Sequence, residues 1–132
     1  MEINIAVLGG DGIGPEVTDQ GVRALEAVGR AFGHTFNLSY GDIGGISIDK
    51  HGIPLTDDTR ALLDSNDAVL FGAVGGPKWD SPDAKVRPEM GLLDMRAHMG
   101  VFANIRPVKV YPWLAESSVF KPEVIDGVDM VV

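Results

Sequence analysis

One feature limits the possible folds of this chain more than any other: a short apolar run that passes through a glycine-rich turn directly into a helix. Residues 3–8 read I-N-I-A-V-L, which predicts a buried strand, and Gly9 and Gly10 end it. The helix enters at Pro15, keeps apolar residues at near-helical spacing, and ends at Gly33. Such a strand–turn–helix unit is typical of a parallel sheet.

Two further strands follow the first helix. Residues 35–40 alternate in hydrophobicity and residues 67–71 form a short apolar run, so both are predicted strands. Between them, Thr56 is placed to cap a helix whose first turn carries two aspartates. The glycine-rich residues 41–52 are expected to form a long loop. The alternation of strands with helices predicts an α/β fold with a parallel sheet and right-handed crossovers.

The glycine turn after the first strand does not match the dinucleotide-binding fingerprint. If Gly10 and Gly12 are taken as its first two glycines, the third position falls on Pro15. Two interpretations stay open for this turn. Its backbone N–H groups face an anion at the start of the helix, or the turn is tight and requires the conformational freedom of glycine.

The third strand leads into a long segment, residues 72–89, which reads G-A-V-G-G-P-K-W-D-S-P-D-A-K-V-R-P-E. Open α/β sheets bind ligands at the carboxyl ends of their strands, and loops of this length are more often functional than idle. Lys78 offers a cation and Trp79 a flat surface. The segment is therefore a candidate ligand-binding loop, and a mobile surface loop is the alternative.

A second concentration of chemistry follows between Arg87 and Pro107. A helix is predicted to begin at Pro88, because the missing N–H of proline has no partner in a first turn. Four residues then share one helical face: Glu89, Leu92, Leu93 and Arg96. A further guanidinium, that of Arg106, follows the β-type run 101–103. This pattern suits a small anion with an apolar substituent, although both leucines also fit a purely structural role in the core.

Charge separates this segment from the rest of the chain. The 132 residues carry a net charge of −8, yet residues 85–109 contain five basic and two acidic side chains. A basic island in an acidic chain is a candidate anion site, because guanidinium groups match carboxylates with paired hydrogen bonds. The pI of about 4.6 argues against nucleic acid as a partner. No apolar run is long enough for a membrane span, and the absence of cysteine excludes disulfides and thiolate metal sites.

Four motifs, in this order, carry a resemblance to a known family. G-G-D-G-I-G-P-E-V, G-A-V-G-G-P-K-W-D, R-P-E-x-G-L-L-x-x-R and F-A-N-I-R-P-V-K-V are similar to the N-terminal part of the 3-isopropylmalate dehydrogenases, within the isocitrate/isopropylmalate dehydrogenase family. The likeness extends over essentially the whole chain. It implies an incomplete version of that α/β fold, limited to its N-terminal parallel-sheet portion. Residues 1–100 then belong to the first, NAD-side domain, and residues 101–132 are the truncated start of the second.

The resemblance also implies roles for single residues. The family's substrate arginines correspond to Arg96 and Arg106. The leucines that contact the isopropyl group correspond to Leu92 and Leu93. Nine residues are implied to lie against NAD: Gly75, Gly76, Pro77, Lys78, Trp79, Asp80, Arg87, Pro88 and Glu89. The family's catalytic tyrosine and lysine, and the aspartates that hold Mg²⁺ or Mn²⁺, have no counterpart in these residues.

By this resemblance the parent enzyme is a cytoplasmic homodimer that oxidises (2R,3S)-3-isopropylmalate with NAD, yielding 4-methyl-2-oxopentanoate and CO₂ in leucine biosynthesis. The chain alone is expected to be inactive. Its last residues, D-M-V-V, are β-formers of the kind that open a buried strand, and no partner strand is predicted, so we expect it to be part of a longer protein. Two alternatives stay open. One is a sister enzyme acting on isocitrate, homoisocitrate or tartrate, and the other is a fragment that binds anions or partner chains without turnover.

Overall fold

In the computed structural model, which describes residues 1–132, the first predicted strand lies at the centre of a parallel sheet. The strands are β1 (Glu2–Gly10), β2 (Thr35–Tyr40) and β3 (Ala68–Ala73), in the order β2-β1-β3. Both neighbours pair with β1 in parallel, and Ile5 lies opposite Leu38 on one side and Ala68 on the other. The predicted parallel α/β sheet is therefore confirmed, and the carboxyl ends of its strands share one edge.

Four helices accompany this sheet: α1 (Gly14–Phe32), α2 (Gly45–His51), α3 (Asp57–Asp64) and α4 (Pro88–His98). Their caps confirm the helix ends that the sequence predicts. Gly33 ends α1 in the left-handed conformation, with a φ of 68°, and its N–H donates to the carbonyl of Gly29. Thr56 precedes α3, and its hydroxyl oxygen accepts a hydrogen bond from the N–H of Thr59.

The expectation of a long loop at residues 41–52 is wrong, because α2 lies inside it. Gly52 ends this helix with a φ of 78°, and Lys50 and His51 occupy its last turn, where cations are favourable to the helix dipole. The helix has only two turns, and glycines precede it directly, so its apolar pattern is too short to outweigh the turn signal.

Helices cover both faces of the parallel sheet. One face packs against α1, where Gly21 lies beside Leu70. The other face carries the main cluster of buried apolar residues: Ala6, Leu8, Ile43, Leu55, Leu63 and Met95. Strand periodicity explains the division, since even-numbered residues of β1 such as Ala6 point to one side and odd-numbered ones such as Val7 to the other. This core places α3 and α4 against the sheet, close to its carboxyl edge.

The chain divides into two units, Met1–Val101 and Phe102–Val132, and the second has a different architecture. It consists of β4 (Pro107–Lys109), a 3-10 turn (Pro112–Ser117), the short helix α5 (Pro122–Ile125) and β5 (Asp129–Val131). The expectation that the last β-formers open a buried strand without a partner is wrong. β5 pairs antiparallel with β4, and its side chains are exposed.

The β-type run 101–103 does not form a strand. Phe102 is fully exposed, at 100% of its surface. A strand is stable only when a neighbour satisfies its backbone N–H and C=O groups, and here no neighbouring strand does so. Local β propensity is therefore overridden by the lack of a pairing partner.

Candidate functional site

The turn after β1 lies directly against the end of β3. Gly10 has a positive φ of 72°, and a Cβ atom there would overlap the carbonyl oxygen of Ala73. A Cβ at Gly14 would lie 2.8 Å from the nitrogen of Ala73. Of the two interpretations left open for this turn, the structure supports the tight one, because the glycines let two backbone segments cross in contact.

The buried carboxylate of Asp11 joins three segments at this edge of the sheet. Only 4% of the residue is exposed. Its oxygens accept hydrogen bonds from the N–H groups of Gly45 and Ile46, both at 2.6 Å, and from Gly75 at 3.0 Å. Its own N–H donates to the carbonyl of Ala73 at 2.7 Å. The carboxylate is thus satisfied by backbone donors, and it ties α2 and the loop after β3 to the turn after β1.

The loop after β3 folds onto α2. Pro77–Trp79 form a 3-10 turn. Within it, the Lys78 ammonium lies 2.5 Å from the carboxylate of Asp49, and the indole Nε1 of Trp79 donates to the same carboxylate at 3.2 Å. The indole also lies against Gly45, where a Cβ would be 2.5 Å from the ring carbon Cδ2. The Lys78 ammonium and the Trp79 indole therefore both contact α2.

The start of the loop lies beside the start of α4. Gly75 has a φ of 100°, and a Cβ on it would lie 2.7 Å from the carboxylate oxygen Oε1 of Glu89. Gly76 is half-buried and Asp80 is exposed. The Glu89 carboxylate therefore lies against the backbone at Gly75.

The two residues before Glu89 differ in their surroundings. Arg87 is exposed, and its Nη2 donates to the carbonyl of Pro82 at 3.3 Å. Pro88 is fully buried at the first position of α4. The side chain of Arg87 is therefore open to solvent, whereas Pro88 starts the helix and packs into the core.

Helix α4 divides the four residues predicted to share one face. Its buried side consists of Pro88, Gly91 and Met95. Leu92 is half-buried and packs against the same core. Leu93 is 62% exposed, and Glu89 and Arg96 are exposed as well. Leu92 therefore serves the core. Leu93 and Arg96 are three residues apart on the exposed side of α4, where they provide an apolar group and a cation.

Contacts with α3 fix α4 in place. His98 Nε2 lies 2.8 Å from the Asp64 carboxylate, and the guanidinium of Arg60 lies 3.6 Å from that of Asp94. Arg96 forms no ion pair. Its guanidinium is therefore free for an external anion, on a helix that is held on its other sides.

Arg106 lies in the second unit, directly before β4. Its backbone pairs with that of Val132, with N–H to carbonyl distances of 2.7 and 3.0 Å in the two directions. Its side chain is exposed and forms no ion pair. Both predicted substrate arginines thus carry uncommitted guanidinium groups, although they belong to different units.

Electrostatics at the loop are dominated by one ion pair. The hydrogen bond from the Lys78 ammonium lowers the pKa of the Asp49 carboxyl below its ordinary value of 3.8, partial burial opposes that shift, and the Trp79 indole N–H adds to it. Asp49 therefore stays ionised throughout the neutral range.

Comparison with known proteins identifies the family. A family model described as isocitrate/isopropylmalate dehydrogenase matches residues 4–132. The chain belongs to the isocitrate/isopropylmalate dehydrogenase family. Its curated relatives include the 3-isopropylmalate dehydrogenases of Anaeromyxobacter dehalogenans and Halalkalibacterium halodurans, which are 57% and 52% identical over all 132 residues. The chain spans only 37% and 36% of the length of these two relatives.

A solved structure supports the fold assignment. The apo crystal structure of a β-decarboxylating dehydrogenase from Thermococcus kodakarensis superposes with a TM-score of 0.64 at 34% identity. The match covers 82% of this chain and 30% of that one. The isocitrate/isopropylmalate dehydrogenase fold predicted from the motifs is therefore confirmed for the part of it that this chain represents.

Two aspartates of this family member escape prediction from the sequence. Asp11 binds backbone groups that lie 34 to 64 positions away along the chain, and Asp49 binds side chains 29 and 30 positions away. No local pattern marks such distant partners. The one available signal was Gly52 at the end of α2, a common helix stop, which would have placed Asp49 on a helix.

The structure shows no group of three or more carboxylate or imidazole side chains close enough to hold a metal ion. None of its helices combines the length and apolar character that crossing a membrane requires.

Proposed function

We propose that these residues belong to an NAD-dependent oxidoreductase that converts (2R,3S)-3-isopropylmalate to 4-methyl-2-oxopentanoate and CO₂ in leucine biosynthesis. In that reaction the alcohol carbon gives a hydride to NAD and its hydroxyl gives up a proton. The carboxylate on the neighbouring carbon then leaves as CO₂, and a proton takes its place. The observation that carries the proposal is the exposed Leu93 beside the unpaired Arg96 on α4.

The proposed substrate contacts follow from this surface. A guanidinium binds a carboxylate through two parallel hydrogen bonds, so we assign one malate carboxylate to Arg96. Leu93 packs against the isopropyl group, and the half-buried Leu92 supports the same apolar surface from the core side. A substrate role for Arg106, in the second unit, is proposed from the family resemblance alone. A substrate with a charged substituent would find leucine where it needs a polar partner.

The surroundings of Gly75 support the proposed NAD site. The loop follows a strand at the carboxyl edge of a parallel sheet, and its backbone is fixed by Asp11 before any ligand binds. When bound, NAD supplies the hydride acceptor. The side chains of Arg87 and Glu89 and the peptide groups of residues 75–80 are proposed to hold it. Lys78 is committed to Asp49, so its ammonium is assigned to loop structure rather than to a phosphate.

A divalent metal does not fit the residues of this chain. Asp11 is the most buried carboxylate at the site. Its oxygens accept hydrogen bonds from three backbone N–H groups, so they are not available as ligands for a cation. Asp80 is exposed, and no cluster of ligands surrounds it. We therefore assign no metal ligand and no metal-dependent step to these residues.

A hybrid enzyme tests the proposal. The 132 residues replace the matching segment of the Anaeromyxobacter dehalogenans relative, and NADH formation is measured with 3-isopropylmalate and with isocitrate. We expect turnover of 3-isopropylmalate. We also expect Arg96→Ala to lower kcat/KM by roughly 10- to 100-fold, since a hydrogen bond to a charged group contributes about 1.5–3 kcal/mol.

Arg23 provides the matched control for Arg96. It is an exposed arginine on α1 that bonds only to Gln20, so Arg23→Ala should leave kcat/KM unchanged. A folded hybrid that prefers isocitrate would overturn the assignment of Leu93, and equal kinetics for the two arginine variants would overturn that of Arg96. A folded hybrid without any turnover would leave anion binding without catalysis as the better description.

The remaining properties of the whole enzyme are proposed from the family resemblance alone. The whole enzyme is a homodimer in the cytoplasm, and the small molecules that it binds are 3-isopropylmalate and NAD. Sedimentation of the hybrid would test the oligomeric state, because a monomeric active enzyme would contradict the homodimer.

A further inference from the structure

Helix α2 contacts the proposed cofactor loop at two points on one side of the helix. Gly45 and Asp49 are four residues apart, so they lie one above the other on the same helical face. Gly45 has no side chain where the indole of Trp79 packs, and Asp49 binds both Lys78 and the indole N–H. One helix face therefore contacts both Lys78 and Trp79 of the 3-10 turn.

The same helix is fixed at its first turn. The carboxylate of Asp11 accepts hydrogen bonds from the N–H groups of Gly45 and Ile46 in α2. It also accepts one from the N–H of Gly75 at the start of the loop. The loop is thus connected to α2 at both ends, at Gly75 through Asp11 and at Lys78 and Trp79 through Asp49.

We propose that α2 is a brace that sets the conformation of the loop from Gly75 to Trp79 before NAD binds, with Asp49 as the positioning residue. Asp49 does not touch the cofactor in this arrangement, and it acts through Lys78 and Trp79. A loop already held in one conformation costs less conformational entropy when a ligand binds to it, so affinity rises without an added contact.

Charge supports the same arrangement. Lys78 is paired with Asp49, and its ammonium also lies 5.2 Å from the centre of the Trp79 ring. The lowered pKa of the Asp49 carboxyl keeps that group ionised at neutral pH. The functional half of the proposal rests on the proposed NAD site, whereas the structural half concerns this chain alone.

Hydrogen exchange in the full chain tests the structural half. The N–H of Trp79 donates to the carbonyl of Gly76 at 3.0 Å, so its exchange rate reports opening of the loop. We expect Asp49→Asn to raise that rate roughly 1.5- to 5-fold, as for the loss of a solvent-exposed ion pair. Asp49→Glu should restore part of the protection, and Gly45→Ala should raise exchange by displacing the indole without any change of charge.

Asp42, which lies before α2 and pairs with Lys50 on that helix, supplies a matched control. Its carboxylate binds Lys50 at 2.8 Å, and its side chain is 33% exposed compared with 32% for Asp49. Asp42→Asn removes an equivalent ion pair of α2 that does not touch the loop, so exchange at Trp79 should stay unchanged. Equal exchange at Trp79 in the two aspartate variants would overturn the brace.

Kinetics of the hybrid enzyme test the functional half. Asp49→Asn should raise KM for NAD roughly 1.5- to 5-fold with KM for 3-isopropylmalate unchanged, and Asp42→Asn should change neither. An unchanged KM for NAD, with Trp79 exchange raised, would overturn the role in cofactor binding. An inactive parent hybrid would contradict the proposed function instead, and the exchange rates would still decide whether α2 holds the loop.

Discussion

The two units of this chain bury their apolar side chains to very different degrees. In Met1–Val101, Leu8 and Ile43 are completely buried. In Phe102–Val132, which is also rich in valine and aromatic residues, no side chain is buried, and Trp113 is 75% exposed. The comparison shows that apolar composition alone does not produce a core. A sheet covered by helices on both faces produces one, whereas an isolated two-stranded ribbon does not.

The largest expected difference concerns the free energy of unfolding. Leu8→Ala removes buried methyl groups and leaves a cavity, so it should lower that free energy by roughly 2–5 kcal/mol. Phe102→Ala removes a larger side chain that is fully exposed, and it should change the free energy by less than about 0.5 kcal/mol. Denaturant titration followed by circular dichroism measures both. Equal losses in the two variants would contradict the comparison.

A pair of glycines on α1 sharpens the comparison within the first unit. A Cβ at Gly29 would lie 2.8 Å from the backbone carbonyl oxygen of His34, so Gly29→Ala should cost roughly 1–3 kcal/mol. At Gly21 a Cβ would meet the Leu70 side chain at 3.4 Å, an ordinary contact. Gly21→Ala should therefore stabilise the helix by about 0.5–1 kcal/mol. Thermal melts of the two variants should shift in opposite directions, and shifts of the same sign would argue against tight packing at Gly29.

Acid should disturb the contact of Asp49 with the loop in the first unit. Trp79 lies in that unit and Trp113 in the second, so the fluorescence of Trp79 alone reports this change. The lowered pKa of Asp49 means that the folded chain favours the carboxylate. The stabilisation is therefore complete above the unfolded value of 3.8, and it is lost as the pH falls through the lower folded-state pKa. Fluorescence of Trp79 in a Trp113→Phe chain should change below about pH 4, and Asp49→Asn should abolish that change. The same change in fluorescence at low pH in the Asp49→Asn variant would show that Asp49 is not its cause.

The smallest expected effect lies in the second unit. Lys109 and Asp129 form an ion pair of 3.0 Å across β4 and β5, with both side chains more than half exposed. Asp129→Asn should weaken the ribbon by less than about 1 kcal/mol, and added salt should abolish the difference. Hydrogen exchange at Val110, whose N–H donates to Val128 at 2.9 Å, measures this. A loss that persists in high salt would show that the pair is not merely a surface contact.

Local signals explain why much of the fold was predictable. Gly33 and Thr56 end and begin helices through contacts within a few residues, and Pro88 does the same for α4. The parallel sheet follows from apolar runs separated by helices. By contrast, Phe102 has high β propensity but no strand beside it, and pairing is a property of the whole fold.

The candidate site was less predictable for the same reason. Helical spacing predicts that Arg96 and Leu93 lie on one face of α4, and both side chains are exposed. The same spacing cannot separate Leu93 from Leu92, because only the position of the core decides which of two adjacent leucines is buried. Asp11 and Asp49 have partners far away in the sequence, so their contacts with the loop appear only when the chain is folded.

The anchoring of the loop at Gly75 and Trp79 has a consequence for engineering. Beyond these contacts, residues 80–87 are mostly exposed and contain no helix or strand, which are the properties of a site where a chain tolerates added sequence and proteolytic cutting. A reporter peptide introduced between Pro82 and Asp83 would extend into solvent. The same peptide introduced at Lys78 would separate the loop from α2, so the fold should tolerate an insertion after Pro82 better than one a few positions earlier.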